Sequence, residues 1–157
     1  MTREEILKGI REKFKEDIFD FLDKSPKRVY IEIKPASLRK IVEYVFRNLG
    51  ARFNIATGVD ARHNIEILYH FTFEEINLLV SLRVKLKRTK PEIDSLANMF
   101  EGANWIEREI NELLGVNFKG HPDLRRLLLS DDWPEGVYPL RADYKEWDDK
   151  AIRDRGV

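Results

Sequence analysis

The sequence predicts an α+β fold: a mainly antiparallel sheet of about four strands with helices packed on it, followed by an irregular C-terminal docking tail. Three observations carry the prediction. Apolar residues recur at helical spacing near 2–18, 38–49 and 103–114. Four strand-like runs lie between them, joined where they are consecutive by connections short enough for hairpins. After Gly115 periodicity gives way to prolines, turns and aromatic residues. An antiparallel sheet with helices to one side is the α+β arrangement.

Thr2-Arg3-Glu4-Glu5 has capping-box spacing and opens the first helix. Ile6, Leu7, Ile10, Phe14 and Ile18 line its apolar face, Lys8, Arg11, Glu12, Lys13 and Lys15 the other, and Ser25-Pro26 ends or bends it. Val29, Ile31 and Ile33 alternate with Tyr30, Glu32 and Lys34, the period of a half-buried strand. Pro35 stops that strand and opens a helix with Leu38, Ile41, Val42, Val45 and Leu49 inward, closed by Gly50. Strands follow at about 51–59, 64–71 and 76–87, the last with Leu78, Val80, Leu82, Val84 and Leu86 on one face. Lys90-Pro91 breaks the pattern, a short helix is expected at 95–100, and Gly102 separates it from a better one at about 103–114. Residues 1–115 form the α+β body and 116–157 an extension of the same structural unit.

Composition narrows the function. A chain of 157 residues with 43% hydrophobic content supports one sizeable core. Lys+Arg and Asp+Glu both total 28, so no net charge draws the molecule to nucleic acid or an anionic membrane. No apolar run approaches the roughly 18 to 20 residues of a membrane span, and Met1 leads into charge where a signal peptide is apolar. A cytoplasmic location is expected. The absence of cysteine excludes thiolate metal sites, iron–sulfur ligation and disulfides. With 36% charged residues, no glutamine and little methionine, the composition fits a protein from a hot environment.

The chemistry-bearing residues concentrate late in the chain. On the 103–114 helix, Ile106, Ile110, Leu113 and Leu114 share the core-facing arc and Glu107 sits at its edge, while Trp105, Arg108 and Glu112 project on the other side. A carboxylate at a core border needs a partner, and Arg125, Arg126 and Arg141 are the nearest candidates in sequence. Left in solvent, Glu107-Arg108-Glu109 would make ion pairs worth at most about 1 kcal/mol each. Gly120-His121-Pro122-Asp123 reads as a turn with Asp123 capping a short helix that carries Leu124, Leu127 and Leu128. Read as interface chemistry, Arg125 and Arg126 offer forks for a partner's carboxylates, and Trp133, Tyr138, Tyr144 and Trp147 suit a docking tail.

Independent catalysis finds little support, because adjacent Asp131 and Asp132 suit a turn and no phosphate loop, dinucleotide fingerprint or nucleophile elbow appears. His63 and His70 lack matching ligands for a metal. The basic run 83–90 alternates with Val84 and Leu86, which favours a solvated strand face over nucleic-acid binding.

Glu107-Arg108-Glu109, Glu112, Leu113-Leu114, His121, Arg125 and Leu127-Leu128 fill, in order, the signature of a known family. Asp131-Asp132-Trp133 and Pro139-Leu140-Arg141-Ala142-Asp143-Tyr144 match its following tail. The segment resembles the thirty-kilodalton subunit family of respiratory complex I, a part of the bacterial NADH-quinone oxidoreductases, strongly over about 95–144. Asn111-Glu112-Leu113-Leu114 and the longer turn Trp133-Pro134-Glu135-Gly136-Val137-Tyr138 look most like the versions in archaeal membrane-bound nickel–iron hydrogenases and related ferredoxin-dependent complexes. The resemblance implies a cofactor-free subunit of a peripheral arm on the cytoplasmic side of the membrane. Its partners would be the large hydrogenase-type (forty-nine-kilodalton-like) subunit and a neighbouring iron–sulfur subunit, which would hold the nickel–iron and iron–sulfur clusters. Membrane contact would come only through the complex, and no nucleic acid is implied. Trp105, Pro122 and Asp143 join the motif residues as candidates for partner binding.

Overall fold

The computed structural model describes residues 1–145. Helix α1 (Arg3–Lys13) starts from the expected box: Thr2 Oγ1 accepts from the Glu5 amide at 3.2 Å, and Glu5 accepts from the Thr2 amide at 2.8 Å. It ends earlier than its apolar stripe predicts. Ile18 begins a strand, β1 (Ile18–Ser25), which pairs antiparallel with β2 (Arg28–Ile33) and sets Ile18 opposite Ile33 and Phe21 opposite Ile31. Burial of Ile18 is satisfied equally by a strand, and Phe19 and Phe21 favour that choice. Arg11 lies over the Phe21 ring at 4.1 Å, tying α1 to the hairpin.

Pro35–Ser37 turns the chain into α2 (Leu38–Glu43), which continues as a π-helical turn, Tyr44–Asn48. Three long strands follow: β3 (Arg52–Asp60), β4 (Asn64–Phe73) and β5 (Leu78–Lys87). Among the described residues the sheet therefore has five strands, ordered β1-β2-β5-β4-β3. All its pairings are antiparallel except β2 with β5, which is parallel and brings the two hairpins together across α2. A second, small sheet pairs β6 (Glu92–Asp94) with β7 (Asn117–Lys119) in parallel.

Residues 95–100 form turns instead of the expected helix, with the Leu96 carbonyl accepting from the amides of Met99 and Phe100. Helix α3 (Glu101–Leu114) includes Gly102 within its first turn and ends at Gly115, whose φ of +75° suits glycine.

One face of the sheet, with Ile65, Ile67, Tyr69 and Phe71 of β4 and Val80, Leu82 and Val84 of β5, packs under the helices as a single core. Phe100 seats against Phe46 and Phe53, its ring centroid 4.7 and 4.8 Å from theirs. Gly58 lets α3 approach: a Cβ there would lie 2.6 Å from Leu114 Cδ1. The opposite face is polar, with Lys85 on Glu32 at 2.8 Å and Arg83 near Glu66 at 3.5 Å. His70 sits there between the Ser81 and Thr57 hydroxyls. Much of the basic run thus lies on a charge-neutralised strand face, as its alternation predicts. Among the described residues no helix is long and apolar enough to cross a membrane.

Candidate functional site

Helix α3 organises the site because its sides carry different duties. Ile110 and Leu114 face the sheet. Glu107 faces inward beside them at 1% exposure, accepting from Ser95 Oγ at 2.5 Å and from the Leu96 amide at 2.6 Å. Burial raises its carboxyl to about 7, against the pull of those two hydrogen bonds. Burial also pushes the Tyr69 hydroxyl well above its usual range, and the Glu107 charge acts in the same direction.

His121 closes this pocket from the far side, with Nε2 3.0 Å from the Asn104 carbonyl and 3.9 Å from Glu107 Oε2. Its Nδ1 accepts from the Asp123 amide at 2.9 Å, so the proton belongs on Nε2, where it points at Asn104. The imidazole pins the start of the tail to α3.

Arg108 and Glu112 then carry the next stretch, although it has no regular structure. Arg108 Nε donates to the Arg125 carbonyl at 2.9 Å and Nη2 to the Arg126 carbonyl at 2.7 Å. Glu112, one helical turn along, accepts from the amides of Leu127, Leu128 and Leu129 at 3.1, 2.6 and 3.4 Å. A residue pair spaced i, i+4 thus supplies hydrogen bonds that a neighbouring strand would otherwise give. Residues 121–129 become a strap laid along the helix.

Arg126 holds the following turn, donating to the Ser130 carbonyl at 2.5 Å and to the Trp133 carbonyl. Trp133 Nε1 donates to the Val137 carbonyl at 2.8 Å, and its ring lies 6.3 Å from that of Tyr144. Arg141 Nε donates to the Leu114 carbonyl at 2.8 Å, placing a cation at the C-terminal end of α3. Its guanidinium also covers the Tyr138 ring at 4.6 Å. Gly115 leaves room for both, since a Cβ would come within 2.5 Å of that ring.

The tail is finally clasped to the sheet. Asp60, at the end of β3, pairs with Arg88 and accepts from the Ala142 amide at 2.8 Å, while Arg88 reaches Asp143 at 3.1 Å. The Arg88 hydrogen bond above all holds the Asp60 carboxyl down at about 2.

The candidates therefore divide. Glu107, Arg108, Glu112, His121, Arg126 and Arg141 come together as one bracket, but the expected pairing of Glu107 with an arginine does not form; Ser95 and Leu96 take that place. Arg108 and Glu112 are buried, not outward, because the strap covers them. Asp123 caps a turn, accepting from the Arg125 amide, and residues 124–129 form no helix. Glu109, Pro122, Asp131 and Asp132 lie exposed. Trp105 is 67% exposed on the rim of a groove shared with Ala97, Glu101, Ile106 and Arg125. Trp147 lies outside the described residues. Sequence reasoning missed Ser95, Asn104, Asp60 and Arg88, whose roles depend on contacts 12 to 82 residues apart. Among the described residues no group of three or more His, Asp or Glu side chains could hold a metal ion. The acids and arginines of the bracket spend their hydrogen bonds largely on backbone, which is the chemistry of holding a segment in place.

Comparison with known proteins decides the family. The family described as respiratory-chain NADH dehydrogenase, 30 Kd subunit, matches residues 31–150. The chain belongs to this family. It is 33% identical over 158 residues to the C polypeptide of the F(420)H(2) dehydrogenase of Methanosarcina mazei, covering 98% of each chain. The C/D polypeptide of the NADH-quinone oxidoreductase of Phocaeicola vulgatus is 43% identical over 93 residues, covering 57% of this chain and 17% of that protein. A chain in the structure of the membrane-bound sulfane sulfur reductase, an archaeal respiratory membrane complex, shares the fold with a TM-score of 0.80 at 21% identity, covering 97% of this chain and 89% of that one.

Proposed function

We propose that the protein is a cofactor-free structural and assembly subunit of a membrane-bound electron-transfer complex. It sits on the cytoplasmic peripheral arm and packs against the large hydrogenase-type subunit beside an iron–sulfur subunit. The body, β7 included, presents the chain beyond Gly120 as its docking element. The observation that carries this reading is the bracket. Arg108 and Glu112 fix the strap by its backbone, and its Arg125 and Leu128 side chains stand outward, Arg125 on the same groove as exposed Trp105. Tryptophan and arginine around a rigid frame are the residue types that dominate interface energies. The Phocaeicola relative adds support, since its matched portion is a small part of a longer protein whose name joins C and D.

Arg125 is the residue to test, because its side chain is 77% exposed and engages Asp123 at 2.8 Å, whereas Arg126 is spent inside the strap. Arg125→Glu should leave the melting temperature of the isolated chain unchanged and release it from the affinity-purified complex. Unchanged co-purification of the variant would sink the reading. Nickel in the recovered large subunit together with hydrogen evolution identifies a hydrogenase; a large subunit without nickel identifies a quinone-, sulfur- or F(420)-linked relative.

A further inference from the structure

We propose that the outer face of α3 receives a basic segment of the partner protein, with one cationic side chain over the Trp105 indole and others against Glu101 and Glu109. The inference rests on the subunit role proposed above and adds the chemistry of the partner's contact surface. Glu101, Trp105 and Glu109 recur every four residues and are all exposed, so they stand in one row, about 6 Å apart along the helix. Glu101 and Trp105 line a groove of about 790 Å3 whose apolar wall includes Ala97 and Ile106, and Glu109 continues the row beyond it.

Elsewhere the helical surface neutralises its acids. Lys8 meets Glu12 at 3.8 Å on α1, and Glu43 at the end of α2 meets Arg47 at 2.9 Å, both spaced i, i+4. Helix α3 departs from this pattern. Its single basic residue, Arg108, is buried and donates to the carbonyls of the strap. Two of its four acids, Glu107 and Glu112, are buried and hydrogen-bonded. The other two are Glu101 and Glu109, and among the described residues neither side chain has an ion pair or a hydrogen bond. The helix N-terminus favours Glu101 in the first turn, but its influence fades before Glu109.

The sign of this face selects the occupant. Nucleic acid, an anionic lipid surface and an acidic peptide are all repelled by it. Lysine and arginine are attracted twice, by the carboxylates and by the negative face of the indole. Arg125 stands across the groove and is neutralised by Asp123 at 2.8 Å, so it meets a different part of the partner. A second copy of this chain is a poor match, because its basic run at 83–90 is largely taken up by Glu66, Glu32 and Asp60.

Affinity purification of the complex through a tag on this chain, at low and at physiological salt, tests the proposal. Glu101→Lys combined with Glu109→Lys should lower partner recovery about tenfold, and Glu101→Gln combined with Glu109→Gln should lower it less and flatten its dependence on salt. The isolated variants should melt within a few degrees of the wild type, because both positions are exposed. Trp105→Leu keeps apolar area and removes the ring, and should lower recovery about threefold or more. Glu16→Lys combined with Glu75→Lys makes the same charge change at exposed positions outside α3 and should leave recovery unchanged. Partners recovered normally with the α3 lysine pair, or lost equally with the control pair, overturn the basic segment and leave the subunit role standing. Wild-type chain recovered without partners overturns the subunit role with it. A doubled mass of the isolated chain in solution that the α3 lysine pair abolishes makes the occupant a second copy and also overturns the proposal.

Discussion

Glu107 is held in place by its hydrogen bonds and penalised by its charge. Its carboxyl titrates at about 7 when folded against an ordinary 4.5, so the native state binds that proton more tightly than the unfolded chain. Between those values stability falls as pH rises, and above 7 the penalty is complete, up to about 3 kcal/mol. Glu107→Gln keeps an oxygen for the Leu96 amide and removes the charge. Its unfolding free energy should therefore gain on the wild type by up to about 3 kcal/mol between pH 5 and pH 8 in urea titrations. His70 opposes this slope, because burial lowers its pKa and its stabilisation is lost as pH falls. That contribution is common to both proteins and cancels in the difference. A difference that does not change with pH would show that Glu107 is ionised throughout the range.

At the scale of elements, the strap is the test of whether helix α3 can replace a strand as hydrogen-bond partner. Glu112→Ala leaves the amides of Leu127, Leu128 and Leu129 without their acceptor, at a cost of about 1 to 3 kcal/mol. Local opening eased by that much should speed tryptic cleavage after Arg125 and Arg126 about tenfold or more, with the core strands still protected. Equal cleavage rates in variant and wild type would mean that Glu112 does not hold the strap. The same interactions explain what was legible beforehand. Long periodic elements were read nearly to the residue: β4, β5 and α3 follow from alternation and from the arc of Ile106, Ile110 and Leu114. Ile18 misled because it continues the spacing of Ile10 and Phe14 into a segment whose fate is decided by hairpin pairing with β2, not by helical periodicity. In the site, Glu107, Arg108 and Glu112 stood out as residue types, but their partners are mostly backbone groups of irregular segments, and backbone groups carry no sequence signal.

At the scale of the molecule, the question is where the folded body ends. Val116 and Phe118 lie within the core at 0% and 1% exposure, and β7 pairs with β6. The Asn117 amide also bonds to the Pro91 carbonyl, and the Ser95 amide to the Lys119 carbonyl. Burying those two side chains contributes about 3 to 6 kcal/mol, a large share of the roughly 5 to 15 kcal/mol that a domain has. Beyond Gly120 the chain binds chiefly through the bracket on α3 and the clasp at Asp60. Removing that part returns Arg108 and Glu112 to water, so their charges are solvated and not stranded. A chain cut after Lys119 should therefore keep a cooperative thermal transition at lower temperature, whereas one cut after Gly115 should lose it. Calorimetry of the two truncations decides. If the chain ending at Gly115 melts as cooperatively as the longer one, the body stops at the end of α3 and everything after it is an appended docking element. If only the longer one does, the docking element begins at Gly120, and the β6–β7 pair belongs to the platform that aims it.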